Sequence, residues 1–407
     1  MNYLQLLRRY PHYLAYGLLH YFFSGPGQTF FISLYVPYFL MDLSLDNETF
    51  QMIYSVSTLA SAFTLPFVGK WIDEWKLRNF SVVLGIALLG FCVAAALIHS
   101  VYLLPVVLFG LRLCGQGLMG LTASTAIARY FEETRGKALS LVGFGVSIAE
   151  ITLPIVVAML MTDLGLGWRE TWLGMALLVG LVFIPMVIAL VPSDSPFQYN
   201  RETESHQVDA DAGASRSEVL RDPKFYLLTL VYLMVPFFMT GMIINKHMMG
   251  ESAGWDEAQL AIGLSVFGAF RLVNNLVAGP LVDKFTATKV FAFQLIPMVL
   301  GCLVIAWTDQ VMGLWIFFGL CGISASLGSL TTTAMWAEIY GTTHLGAIRS
   351  MVSTFMVFST GVAPIIFSWA LGAHFGTVPT MWVCVGAFSL LTVLGFVLVK
   401  TIPIRTK

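Results

Sequence analysis

Three charged residues stand in sequence apolar enough to lie in lipid: Arg112 in "LFGLRLCGQGLMG", Glu150 in "GVSIAEITLP" and Arg271 in "FGAFRLVNNLVAG". A charge in hydrocarbon is expensive unless it is paired or faces water, so each is a candidate functional group. A guanidinium offers a planar fork that grips a carboxylate through two hydrogen bonds. A buried carboxyl is a proton-binding group, because burial favours its neutral form and a nearby arginine its ionised form. At the rise of an α-helix, Arg112 lies about 26 Å from Arg129 and Glu150 about 20 Å from Lys137, depths close enough for two long side chains to meet. If they neutralise each other, Arg271, about 18 Å from Asp283 by the same rise, is the residual positive charge, with Asn274 and Asn275 as adjacent amides. It suits capture of a substrate's negative group; a structural arginine bonded to helix carbonyls is the other reading.

A fourth candidate is a break rather than a charge. In "FSGPGQTFFISLYVP" the residues Gly25, Pro26, Gly27 and Gln28 interrupt an otherwise membrane-compatible run. Proline removes a backbone donor and the glycines permit a bend or a close packing, while Gln28 and Thr29 add polar groups that lipid would not tolerate.

The elements that must position these residues follow from composition. Of 407 residues, 57% are hydrophobic and 11% charged, and the mean hydropathy is +0.80; such a chain lives in a bilayer. Apolar segments of spanning length recur at 14–40, 50–72, 80–99, 102–129, 137–161, 171–191, 223–247, 257–283, 288–307, 311–338, 346–372 and 378–400. The expectation is an all-α membrane protein of twelve transmembrane helices. Basic residues gather on one side of these segments, with Arg169 and Lys246 on the other, so both termini are expected in the cytoplasm, the arginine pair before the first segment acting as a signal anchor. The five cysteines sit singly within the segments, without metal-ligand spacing, and predict no disulfide. Residues 192–222 are polar and of mixed charge, a cytoplasmic linker between halves at 1–191 and 223–407.

Sliding one half along the other at an offset of 210 aligns Pro26 with Pro236, Gly69 with Gly279, Asp73 with Asp283, Tyr130 with Tyr340, Gly136 with Gly346 and Pro154 with Pro364. The halves read as a duplicated six-helix unit. The loop "GKWIDEWKLR" after the second segment and "GPLVDKFTATK" after the eighth carry Gly, then Asp four residues on, then basic residues. With these the chain resembles the major facilitator superfamily, in which two six-helix halves enclose a cavity and open it alternately to each side. Lys76 stands where a second glycine is usual. Within the superfamily, "AGPLVDKF" preceded by an arginine, and "GLRLCGQGLMG" followed by "RYFEETRGKALS", are similar to the monocarboxylate and oxalate/formate branch. Here Asn275 occupies the position of that branch's arginine, Arg271 that of its aspartate, and the branch's lysine in the first segment is absent. "RLCGQG" also shifts the family's glycine spacing in the fourth helix by one.

The resemblance implies that the first, fourth, seventh and tenth helices line the cavity, which makes Gln28 and Thr29 candidate substrate contacts, with a packing kink as the plainer role for the break. It makes the fourth and fifth helices neighbours, so that an Arg112–Glu150 pair either fixes packing or carries the coupling proton. It also implies a conformational switch in which Gly69 and Asp73 with Arg135, and Gly279 and Asp283 with Arg349, hold the halves together in one state. His20 reads as a packing or interfacial histidine, Trp336 as an interfacial anchor, and Lys246 with His247 as an entrance lure or a snorkelling anchor. Thr122, Thr125 and Thr331 to Thr333 either line the cavity or bond back to their own helices.

No HExxH, GxSxG or ATP-binding motif is present, which speaks against an enzyme and for transport driven by a gradient. No cofactor, metal or nucleic acid is expected. The reading is a proton-coupled secondary transporter of small organic anions, monocarboxylate-like, acting as a monomer in a bacterial plasma membrane; an exporter of amphipathic metabolites or drugs is the alternative. Single cysteines at Ser193 and Asp256 in a cysteine-free background should label from opposite sides of the membrane. Labelling of both from one side would end the twelve-helix reading.

Overall fold

Eleven helices among the described residues are each long and apolar enough to cross a membrane, running from Asn47–Gly69 through Thr377–Thr401. The computed structural model describes residues 3–69, 71–131, 134–191, 214, 216–341, 345–372 and 375–401, and no strand occurs among them. The remaining span, the first, covers 11–42 but is broken into Pro11–Phe23, a single tight turn Gly25–Gly27, Thr29–Ile32 and Val36–Asp42. No piece alone is long enough to span.

The break has a local cause. Pro26 has no N–H to give the preceding turn, and the N–H groups of Gly27 and Gln28 bond to Ser24 and Gly25 at 3.1 and 2.8 Å. Gln28 is extended, with φ −82° and ψ 150°. When the helix restarts, Phe31 bonds to the Gln28 carbonyl. The ladder thus passes over the carbonyl of Gly27. Pro236, the repeat counterpart of Pro26, lies inside the continuous helix Pro223–Ile244 and causes no such break.

Contacts divide the chain into two compact units, 1–204 and 205–407. In the N-terminal unit the first span packs on the fifth (Arg135–Thr162) and on the fourth (104–130), the second on the fourth, and the third (Leu77–Ala96) on the sixth (Trp168–Leu190). In the C-terminal unit the eighth span (Glu257–Phe285) packs on the tenth (Val311–Tyr340), and the seventh (Pro223–Ile244) on the eleventh (Leu345–Leu371). The ninth (Ala287–Trp307) lies against the tenth and the twelfth. Arg169, on the sparsely charged side, pairs with Asp42, donates to the Ile98 carbonyl at 3.0 Å and lies over the Trp168 ring. It fastens the ends of three spans.

Two local expectations change, the extent of the linker and the place of Trp336. Within the polar stretch read as linker, Arg216–Arg221 is helical, Val219 is buried, and Tyr340 donates to Asp222 at 2.8 Å; residues 216–222 are therefore part of the C-terminal unit. Trp336 is fully buried and stacks on Tyr340 beside Phe225, a packing residue rather than an interfacial anchor. Thr122, Thr331 and Thr332 donate to carbonyls four residues back. All five cysteines are buried free thiols.

The first and fourth spans cross backbone to backbone at Gly27 and Gly115. A Cβ at Gly115 would come within 2.6 Å of the Gly27 nitrogen, and one at Gly27 would collide with the Leu111 carbonyl and lie 2.6 Å from the Gln116 nitrogen. Backbone atoms cannot rotate away, so Gly27→Ala should destabilise by about 1–3 kcal/mol or more. A Cβ at Gly90 would meet nothing within 4 Å, so Gly90→Ala should leave the thermal midpoint in detergent unchanged or raised. Equal midpoints for the two variants would refute the crossing.

Candidate functional site

Arg112 is 2% exposed and opens a π-helical segment, Arg112–Met119, in the middle of the fourth span. Its Nη1 donates to the Gly27 carbonyl at 3.1 Å and to the Thr29 hydroxyl at 3.2 Å. Its guanidinium carbon lies 5.2 Å from the centroid of the Tyr54 ring, and the Tyr54 hydroxyl is 3.0 Å from that of Thr29. The carbonyl released by the break is therefore the one the arginine holds. A neutral carbonyl, a hydroxyl and an aromatic face surround the cation. No carboxylate lies within ion-pair distance of Arg112 among the described residues, and its Nε has no hydrogen-bond partner.

That geometry corrects the expected Arg112–Glu150 pair. The guanidinium is turned to the first and second spans, and its partners are Gly27, Thr29 and Tyr54 rather than Glu150. Matching axial depths were a necessary condition for the pair, but the azimuth of each side chain decides contact, and that azimuth is set by packing. Glu150 is 5% exposed in the fifth span. Its neighbour Ala149 faces the same break, 3.7 Å from where a Cβ of Gly25 would stand. Gln28 donates to Ser24 at 3.3 Å and is half-buried beside Thr29.

Arg271 lies half-buried on the eighth span, where that helix meets the tenth. A Cβ at Gly322 would stand 3.1 Å from the Arg271 nitrogen, so the two backbones are close there. Asn275 accepts from Ser326 at 2.6 Å and Asn274 donates to the Ile323 carbonyl at 3.4 Å. Both amides are thus engaged with the tenth span. Tyr54, whose ring underlies Arg112, is the residue that sequence reasoning missed; it lies in the second span among serines and threonines, with no local feature to mark it.

Other sequence candidates resolve simply. His20 is fully buried, with Nδ1 2.9 Å from the Tyr16 carbonyl and Nε2 3.0 Å from the Ser81 hydroxyl, a satisfied packing histidine. Lys246 is fully buried and paired with Glu257 at 3.0 Å. Burial, with the charge of Lys246 second, pushes the His247 imidazole down to about 3. A paired lysine and a neutral histidine make a poor anion lure. Of the expected switch, Gly69 ends the second span with a leucine side chain, Leu121, against it. The side chains of Asp73, Arg135, Asp283 and Arg349, and the surroundings of Gly279, lie outside the described residues.

The model of the Major Facilitator Superfamily matches residues 17–270 and 228–407. The chain belongs to this family. It is 23% identical over 339 residues to an oxalate:formate antiporter of Oxalobacter formigenes, covering 81% of this chain and 79% of that one. It is also 23% identical over 346 residues to an MFS-type transporter of Gibberella moniliformis, covering 80% and 76%. Among solved structures, a bacterial homologue of the human lysosomal transporter Spinster aligns with a TM-score of 0.70 at 14% identity over 96% of this chain and 97% of the other. The nucleoside transporter NupG aligns at 0.69, 13% identity, 98% and 100%. These likenesses establish the fold, and the family is one of membrane transporters, not enzymes. The shifted glycine spacing of "RLCGQG" coincides with the π-helical segment, and a π-bulge is how an α-helix absorbs one extra residue, often at a functional site.

Proposed function

We propose that this member of the superfamily is a secondary transporter of small organic anions, monocarboxylate-like, working by alternating access and coupled to protons. The observation that carries the reading is the buried Arg112 guanidinium, ringed by neutral partners and with an unsatisfied Nε. A buried cation of that kind is costly, and a substrate carboxylate supplies the missing partner. Thr29 and Gln28 would contact the same ligand. Arg271, with Asn274 and Asn275, gives the C-terminal half a second seat for negative charge. Glu150 is proposed as the proton-binding carboxyl, acting without a direct bond to Arg112. Gly69, Asp73 and Arg135, with Gly279, Asp283 and Arg349, are proposed as the switch between states, in a monomer of a bacterial plasma membrane with both termini cytoplasmic. The oxalate:formate antiporter, a distant relative, exchanges two small carboxylates by its name. It supports an anionic substrate and favours a second reading, anion exchange rather than proton symport.

Thermal-shift titration with small mono- and dicarboxylates, sugars, amino acids and cationic drugs tests the substrate class. Carboxylates should raise the midpoint of the wild type, and Arg112→Gln and Arg271→Gln should each lose affinity by about 2–5 kcal/mol, the scale for removing one partner of a desolvated charge pair. Unchanged affinity in both variants would remove the case for an anion.

Proteoliposomes test the coupling. Glu150→Gln should abolish carboxylate accumulation driven by a pH gradient while carboxylate-for-carboxylate exchange persists. Accumulation that survives the substitution makes the carboxyl structural; a wild type that exchanges but never accumulates favours antiport.

A further inference from the structure

At the membrane face carrying the basic loops, a cleft of about 570 Å³ opens between the start of the third span and the end of the sixth. It is lined by Trp75, Lys76, Arg78, Asn79, Val82, Val83 and Ile188. We propose that this cleft is a binding site for an anionic phospholipid, its phosphate held by Lys76, Arg78 and Asn79 and an acyl chain laid on Val82, Val83 and Ile188.

The lining is graded along the membrane normal. Lys76 to Asn79 form the entry and first turn of the helix Leu77–Ala96, and Val82 and Val83 follow about 6 Å deeper at 1.5 Å per residue. Ile188 faces them from the last turns of Ile184–Leu190. Ile86, one helical turn below Val82 and Val83, is exposed and apolar, and only a lipid tail would cover it. Trp75 is 42% exposed and stacks on Trp71 with ring centroids 5.6 Å apart, the amphipathic aromatic pair expected at headgroup level. A soluble phosphate would use the polar end and leave the apolar wall wet. A phospholipid uses both.

The electrostatics ask for an anion. Neither Lys76 nor Arg78 has an ion-pair partner among the described residues, and Glu74, though close in sequence, does not line the cleft. The helix Leu77–Ala96 has no side-chain cap at its positive end. The other half handles the corresponding end differently. There Glu338 accepts from the N–H groups of Ala287 and Thr288 at 2.8 and 2.9 Å and from the Thr288 hydroxyl at 2.6 Å. At the repeat offset, Ala287 and Thr288 correspond to Leu77 and Arg78, and Glu338 corresponds to Ala128. One half meets that helix end with Glu338; the described residues of the other offer two basic side chains and an open cleft, to which we assign an anion of the bilayer.

The full-length protein in phosphatidylcholine vesicles, doped with phosphatidylglycerol brominated on its acyl chains, tests this through quenching of Trp75 fluorescence, isolated as the difference between wild type and Trp75→Phe. Brominated phosphatidylglycerol should quench about five- to tenfold more effectively per mole than brominated phosphatidylcholine. In Lys76→Gln/Arg78→Gln the preference should fall to about one, with the thermal midpoint in pure phosphatidylcholine showing that the variant is folded. Ile188→Trp fills the apolar wall and keeps both charges. Read with its own Trp75→Phe control, it should also lose the preference, which keeps the test alive if the double variant does not fold. Equal quenching by the two lipids in the wild type overturns the proposal. So does displacement of the brominated lipid by inorganic phosphate at constant ionic strength, because the occupant would then be a free anion.

Discussion

Hydrocarbon offers no hydrogen bonds, so a helix broken inside a bilayer has to hand its released backbone groups to the protein. In this chain the break at Gly25–Gly27 releases the Gly27 carbonyl, and Arg112 takes it. Much else in the N-terminal unit follows from that one bond. The arginine reaches the carbonyl because the first and fourth spans cross backbone to backbone, which requires glycine at 27 and at 115. The fourth span presents the guanidinium from a π-helical segment. Thr29 and Tyr54 complete the shell, tying the second span to the same point. A break that looks like a defect in one helix is a junction of three.

The two halves share a plan and divide the charges between them. The loop signature and the prolines recur at the repeat offset, but Arg112 corresponds to Gly322, Glu150 to Thr360 and Arg271 to Ser61. Pro26 breaks its span and Pro236 does not. Duplication explains the shared architecture, since an apolar helix of spanning length and a basic loop are needed in both halves. The chemistry is not duplicated. A buried charge in each equivalent position would double the desolvation cost.

Among the described residues, buried charged and titratable groups differ in how they are engaged. Lys246 with Glu257, and His20 with Tyr16 and Ser81, have partners from within the fold and are consistent with structure. Arg112 is held in place by neutral groups that orient it without cancelling its charge. That difference, rather than depth alone, is the ground on which Arg112 is proposed to meet a ligand.

The sequence by itself determined the membrane class, the helical spans, the duplication and the family, because each rests on a signal that is local or periodic: twenty apolar residues in a row, a Gly and Asp at fixed spacing, basic residues between spans. It also marked Arg112, Glu150, Arg271 and the break at Gly25–Gly27 as the places to look, since charge and proline in lipid are visible without a fold. Only the tertiary structure decided what those groups touch. The rise of a helix gives depth to within a turn, but contact depends on which way a side chain points around its axis and on which neighbour crosses there. Arg112 and Glu150 therefore matched in depth and did not pair, while Tyr54, unremarkable in its own span, came to lie beneath the guanidinium.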